Sequence, residues 1–528
     1  MSGWRGIFVF TAIVVTLFKG GAISLMATPA CQVWARQLGL HWMLAPQVPP
    51  EDAAFIAWMG NRKTISLLEF SSKPIPGISL APDALATSLT SGQMVSVFNN
   101  AVIQSARGHI AHKDFKILLD LEPTSIEAKD LAPTPDEATS FKTTDNAPES
   151  EVMKSRQNVL RWLLQKVYRS PELARFPELT KPRWTLPEGN PHKKALDYVE
   201  SQWTELLRHS REKEGVTLLS APYPYLVPAG RFTEWYYWDT YFGVLGLLES
   251  GRLEIAKMQV ENLLFQVSRY GFIPNGGRIY YLSRSQPEVL SMTVRAVFDA
   301  AWEAATSEPE RDELKDWLKT RALPLMKASY SFWREGVRHT PSTQLSRHYD
   351  SLEDVPRPER FSEDKDHENP LTFRAQAESG LDFTRSLGEN THYVNGVLLN
   401  SFLWRTEMDI AELSELVGDL QTRDQMKDAA VTRAAAIRRY LWNSERGVFQ
   451  NYDFAAGKRI DVLSAETFAP LYVGMLTPDE AARVRQATMA GLLGPGGLKS
   501  SEHSPGLHQW EGENMWMPLV EMATSGLN

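Results

Sequence analysis

Beyond about residue 151, apolar residues recur at three- and four-residue spacing. Leu196, Val199, Trp203, Leu206 and Leu207 fall on one face of a 3.6-residue helix. Val260, Leu263, Leu264 and Val267 repeat the pattern, and so do Ile437, Tyr440 and Leu441. No stretch sustains the alternation of a half-buried strand. Turns bearing Pro and Gly interrupt the helical stretches. The pattern predicts an all-α chain of many amphipathic helices, a helical toroid or solenoid. No fixed-period repeat is present, which argues against a simple solenoid. The polar motifs fall at helix ends or between helices, where loops present side chains to a shared pocket.

The N-terminal region reads differently. Arg5 precedes an apolar stretch from Ile7 to Phe18, followed by Lys19 and small residues up to Ala22. That shape predicts a signal peptide over residues 1–22 and a secreted or periplasmic, extracytoplasmic location. The apolar run is shorter than the roughly 20 residues of a membrane span. An uncleaved signal anchor is the alternative, and the membrane is a partner only in that case. Residues 23–91 show no clear periodicity and form an irregular leader. Residues 122–150, rich in Pro, Thr, Asp and Glu, read as a surface excursion.

Composition adds exclusions. The 528 residues are 43% hydrophobic and 23% charged, an ordinary globular balance with enough chain for a large core. A net charge of -8 without a dominant basic run argues against nucleic acid as a partner. Cys31 is the single cysteine, so no internal disulfide forms. HExxH, paired CxxC, Walker and GxSxG motifs are all absent from the sequence. The acidic patch at 363–369 lacks metal-loop spacing and reads as a solvated loop.

Five clusters carry candidate chemistry. Residues 228–241 (PAGRFTEWYYWDTY) combine Arg231, Trp238 and Asp239: a guanidinium fork, a ring face and a hydroxyl acceptor. They suit a polyhydroxylated ligand, or an aromatic core helix with a buried ion pair. In GFIPNGGRIYYLSRSQ, Asn275, Arg284, Ser285 and Gln286 supply donors and acceptors for a sugar, or a capped turn. Arg357 and Glu359 flank Pro358 in an acidic loop that is a ligand contact or a solvated surface. In AESGLDFTRSL, Gly380 lets the backbone come close to a ligand, or Asp382 starts a helix. Beside the apolar Leu381, a carboxyl at Asp382 keeps its proton more readily. The fifth cluster holds Gln509, Trp510, Glu511, Asn514 and Trp516, again a site wall or a core helix.

In this order the clusters resemble the trehalase family. Its first signature, P-G-G-R-F-x-E-x-Y-x-W-D-x-Y, is matched by Pro228, Gly230, Arg231, Phe232, Glu234, Tyr236, Trp238, Asp239 and Tyr241, with Ala229 in place of one Gly. The runs IPNGGRIYYLSRSQP, PRPE, ESGLDF, YLWNSERGVFQNYD, FAPLYV and LLGPGGL are similar to the family as well. The resemblance covers about residue 92 to the last, and implies an (α/α)6 barrel over 92–528. It implies hydrolysis of α,α-trehalose to two glucose units with inversion, without metal or organic cofactor. It further implies that Arg231, Trp238, Asp239, Asn275, Arg284, Ser285, Gln286, Arg357, Glu359 and Gly380 line the sugar site, with Asp382 as general acid.

The sequence also departs from the family. Leu381 stands where the family has Trp, and Leu398 where it has Asp. Glu511 and Glu513 replace the Asp and Pro of the second signature. The resemblance implies a barrel without its last helices, without the family's general base and its Gly-rich lid. Glu511 and Glu513 are then the carboxylates a substitute base would use. The alternative function is a non-catalytic protein that binds or senses trehalose.

Overall fold

The computed structural model describes residues 184–209, 218–219, 221–229, 232–350, 357, 360, 369–502 and 508–527. The expected signal peptide, the leader, the 122–150 excursion, Arg231 and Glu359 lie outside the described residues.

The described chain is mostly helical. In order, the helices are α1 (Lys193–Leu206), α2 (Tyr237–Glu249), α3 (Leu253–Tyr270), α4 (Leu290–Ala304), α5 (Glu308–Trp317), α6 (Leu323–Arg334), α7 (Pro370–Ser379), α8 (Val397–Leu416), α9 (Leu420–Tyr440), α10 (Ala469–Tyr472), α11 (Pro478–Gly491) and α12 (Met517–Leu527). Strands are two-residue antiparallel ladders at helix ends. Leu207 pairs with Leu226, His339 with Ser346, and Val394–Asn395 joins Tyr452–Asp453 and Lys458–Arg459 in the one three-stranded sheet among the described residues.

Helix α3 follows the apolar pattern closely. Val260, Leu263, Leu264 and Val267 are all buried, each burial contributing roughly 1.5–3 kcal/mol. Gly271 ends the helix in the left-handed conformation, at φ 77°. Two buried amides of the same helix hold the chain ahead of it: Gln259 Oε1 accepts from the Leu226 N–H at 3.0 Å, and Asn262 Oδ1 from the Tyr223 N–H at 2.9 Å. This pins the segment 223–226, just ahead of the first motif, onto α3.

Helix α1 corrects the expectation in part. Trp203 and Leu207 are buried and Leu206 packs on the core as expected, but Val199 is 49% exposed, Glu200 is buried, and Leu207 belongs to a strand. The cause is an ion pair at 3.1 Å between Glu200 and Arg252, buried on both sides, which turns the helix toward a polar partner.

Helices α5 and α6 form one continuous rod through a π-helical turn, Leu318–Ala322. From that turn Arg321 reaches Glu261 of α3 at 2.7 Å, and Trp317 donates to the same carboxylate at 2.8 Å. Helix α2 packs on α3 and α4, α4 on α8, α8 on α9 and α10, and α10 on α12, a sequence of neighbours typical of helical barrels. Among the described residues, no helix is long and apolar enough to cross a membrane.

Candidate active site

The N-terminus of α2 is where the first motif becomes a surface. A helix start leaves backbone N–H groups without helical partners. Here the 275–286 loop supplies them. The Tyr237 N–H donates to the Asn275 carbonyl at 3.2 Å, and the Trp238 N–H to Gln286 Oε1 at 3.1 Å. Tyr237 returns the service, its hydroxyl accepting from the Val289 and Leu290 N–H groups at the start of α4. The two motifs are thus one unit.

Within that unit each ring of the aromatic run does something different. Trp235 packs over Gly277, where a Cβ would come within 2.7 Å of its ring. Tyr236 hydrogen-bonds Glu234 and the Tyr281 hydroxyl, the latter at 2.8 Å. Tyr237 caps α4. Trp238 and Asp239 face a cavity of about 360 Å³, a volume in the range of small-molecule sites.

The second motif completes this wall. Asn275 and Arg284 are buried in the cavity lining and bonded to each other, Nε to Oδ1 at 3.2 Å. Asp350 lies 3.7 Å from Arg284 and 2.8 Å from Arg374, so its charge is shared between two guanidiniums. Gln286 lines the cavity while holding α2. Ser285 does not: its hydroxyl donates to the Ile273 carbonyl at 2.7 Å, and its N–H to Glu378. Its part is to fasten the loop.

The opposite wall comes from the end of α7. Gly380 caps the helix at φ 75°, and a Cβ there would sit 3.0 Å from the Trp238 ring. Two residues on, Asp382 enters the cavity; it follows a helix rather than starting one. Arg357 is buried in the lining, its guanidinium 5.0 Å from the Phe383 ring, and is no solvated loop residue. Beneath both walls lies Glu378. Its carboxylate accepts from the Ser285 N–H at 2.9 Å, the Tyr349 N–H at 2.7 Å and Arg338 Nη2 at 2.6 Å. Burial alone would raise its pKa, but Arg338 and His348 outweigh it and hold the group below its ordinary range.

The C-terminal cluster closes the cavity with Gln509, Trp510 and Trp516. Trp510 stacks on Trp516, centroids 4.1 Å apart, and tilts against Trp238 at 5.8 Å. Neither Glu511 nor Glu513 is in the lining. Glu511 is buried behind it, and Glu513 points to solvent near Lys499. Sequence reasoning left out Tyr281 and Arg360 as site residues, both of which line the cavity. Tyr281 lay within a quoted motif, and Arg360 directly after PRPE.

The electrostatics divide the carboxyls of this cavity from ordinary ones. Burial, reinforced by the charge of Asp382, pushes the Asp239 carboxyl up to about 6. Burial also raises Asp382, against the pull of Arg357, Arg284 and Arg360. A carboxyl whose pKa is raised beside three guanidiniums can deliver a proton and leave a compensated anion.

The trehalase family profile matches residues 112–528. The chain is similar to the neutral trehalase from Saccharomyces cerevisiae, with 23% identity and a TM-score of 0.53 over 81% of this chain and 84% of that one. A mannosylglycerate hydrolase from Thermus thermophilus is a weaker likeness, 18% identical with a TM-score of 0.42 over 57% of this chain and 82% of that one. With most of its length matched to the profile and its helical fold shared with the yeast enzyme, the chain belongs to the trehalase family of glycoside hydrolases.

Proposed function

We propose that the chain hydrolyses α,α-trehalose to two glucose units with inversion, with Asp382 as the general acid. The observation that carries this reading is convergence. Trp238, Asp239, Asn275, Arg284, Arg357 and Asp382 come from four separate segments and line one cavity. The family supplies the substrate class; the cavity supplies a ring face, hydroxyl partners and a carboxyl of raised pKa.

In this reading Trp238 lies against a sugar face, and Asp239, Asn275, Arg284 and Gln286 take its hydroxyls. Asp382 protonates the glycosidic oxygen as the C–O bond breaks. Burial raises its pKa above the ordinary aspartate value, which favours the protonated form that an acid needs. The carboxylate left behind is compensated by Arg357, Arg284 and Arg360. Inversion further uses a second carboxylate, about 6.5–9.5 Å from the acid, to activate water on the opposite face.

Purified full-length chain assayed for glucose release from trehalose tests the proposal, with Asp382→Asn as the control. Release that D382N abolishes supports it. Calorimetric titration with trehalose runs alongside: binding without release identifies a trehalose-binding or sensing protein, and no binding sinks both readings. From the apolar stretch at 7–18 we also infer entry into a secretory route. N-terminal sequencing of the exported protein should then begin after Ala22 or near Ala30, and an intact Met1 on a cytosolic protein would refute it.

A further inference from the structure

Asp382 sits on a turn with no ladder of its own, two residues past the left-handed cap at Gly380. Two hydrogen bonds reach this turn from far along the chain. The Trp510 N–H donates to the Phe383 carbonyl at 3.1 Å. The Arg385 N–H donates to Glu511 Oε1 at 2.6 Å, across 126 positions of sequence. A backbone amide on a carboxylate at that distance is a short, charge-assisted bond. Glu511 is 1% exposed, so water does not compete for it. The Arg385 side chain, 3.6 Å from the same oxygen, is more than half exposed and adds little. The Glu511 turn is itself anchored: the Gly512 N–H donates to Ser501 Oγ at 3.0 Å, and the Ser500 N–H to the Gly512 carbonyl at 2.9 Å.

We propose that Glu511 is a positioning residue for the general acid. Its carboxylate and the Trp510 amide form a two-point clamp that holds residues 382–385 with the Asp382 carboxyl in the cavity. The proposal rests on Asp382 being the acid. It also gives Glu511 a role other than that of base, in keeping with its place behind the cavity wall.

The clamp needs an acceptor, not a proton carrier. Among the described residues, Glu511 Oε2 has no hydrogen-bond partner, so an amide NH2 in its place forfeits no bond. Glu511→Gln therefore keeps the clamp, whereas Glu511→Ala takes away the acceptor of the part-buried Arg385 amide. A base would respond differently, because Gln takes no proton and E511Q would be as damaging as E511A.

The test uses the full chain and two substrates, trehalose and α-D-glucosyl fluoride. Fluoride leaves without being protonated, so a displaced acid matters less for it. We expect E511A to lower kcat on trehalose about 10- to 100-fold, with KM within about threefold, as expected for a displaced catalytic group. Its loss on the fluoride should be much smaller. E511Q should stay within about threefold of wild type on both. E511A with wild-type kcat beside an inactive D382N overturns the clamp alone. E511Q losing both substrates equally overturns it in favour of a base. A fully active D382N removes the acid reading, and with it the proposed function. Amide hydrogen exchange reads the clamp even without turnover. Exchange at residues 383–387 should rise in E511A and not in E511Q, and no rise in E511A overturns the proposal. Should E511A not fold, E511Q decides: retained turnover with wild-type exchange supports the clamp, and faster exchange at 383–387 defeats it.

Discussion

The two walls of the cavity are held in place by different means. The wall of α2 and the 275–286 loop is fastened to itself by Trp238 to Gln286 across 48 positions and Asn275 to Arg284 across nine, with Ser285 reaching Glu378 across 93. The turn bearing Asp382 is held partly from Glu511, 126 positions on. The shorter ties of the first wall can form before the C-terminal segment has docked. A turn clamped from a distant segment is in place only after that segment has docked, because closing the longer loop has to precede the contact. The α2 wall and the turn bearing Asp382 are therefore separable in stability although they share one cavity.

Glu378 is where the two walls join, and removing it tests the comparison most severely. Glu378→Ala leaves Arg338 buried without its partner and is expected to destabilise the fold by about 3–5 kcal/mol, read in a denaturant or thermal melt. Both walls should fail together; loss of one alone would show that they do not share this support. Its lowered pKa means its contribution is present above the ordinary carboxylate range and is lost as pH falls through the folded value.

Asp382→Asn touches the proposed acid and leaves the α2 wall intact. It should lower kcat on trehalose by about 10²–10⁴-fold while trehalose still binds. Loss of calorimetric binding in D382N would mean that the walls are not separable. In the wild type, kcat should fall as pH rises through the raised pKa of Asp382, since the acid is then spent.

Asp239 sets function against stability. Its folded pKa, about 6, lies above the value of an unfolded chain, so the folded state binds its proton more tightly. Its contribution thus declines as pH rises from the unfolded pKa toward 6 and is a full penalty above that. Asp239→Asn should raise stability at pH 7–8 by on the order of 2–3 kcal/mol, with little effect at pH 4, while weakening trehalose hydrolysis. A melting temperature unchanged at pH 8 would contradict the burial of this charge.

The smallest effect is expected farthest from both walls. Thr477 caps α11 in a reciprocal arrangement with Glu480. Thr477→Ala should cost about 1 kcal/mol in a denaturant melt and leave kcat and KM unchanged. A change in kcat would show that stability anywhere in the chain feeds the acid turn.

What the sequence made legible follows the same division. The buried face of α3 could be read from spacing, because apolar residues alone decide it. The face of α1 could not, because Arg252 sits 52 positions from Glu200 and local periodicity carries no trace of it. In the site, the family resemblance picked out Trp238, Asp239, Asn275, Arg284 and Asp382, which the fold brings to one cavity. It also picked out Ser285, whose hydroxyl turns to the backbone; spacing in a tight loop does not fix which way a short side chain points. Glu511 looked like a spare carboxylate in a signature, and its role depends on an amide that only folding brings within reach.

The three indoles around the cavity have an optical consequence. Trp510 and Trp516 lie nearly parallel, 10° apart with centroids at 4.1 Å, and Trp238 is in contact with the pair. Transition dipoles that close couple, so the pair should give a split band in the near-ultraviolet circular dichroism spectrum. A sugar settling against Trp238 would perturb that band and the emission of the cluster. The cavity thus carries its own reporter, and occupancy can be followed without a label or a chemical reaction.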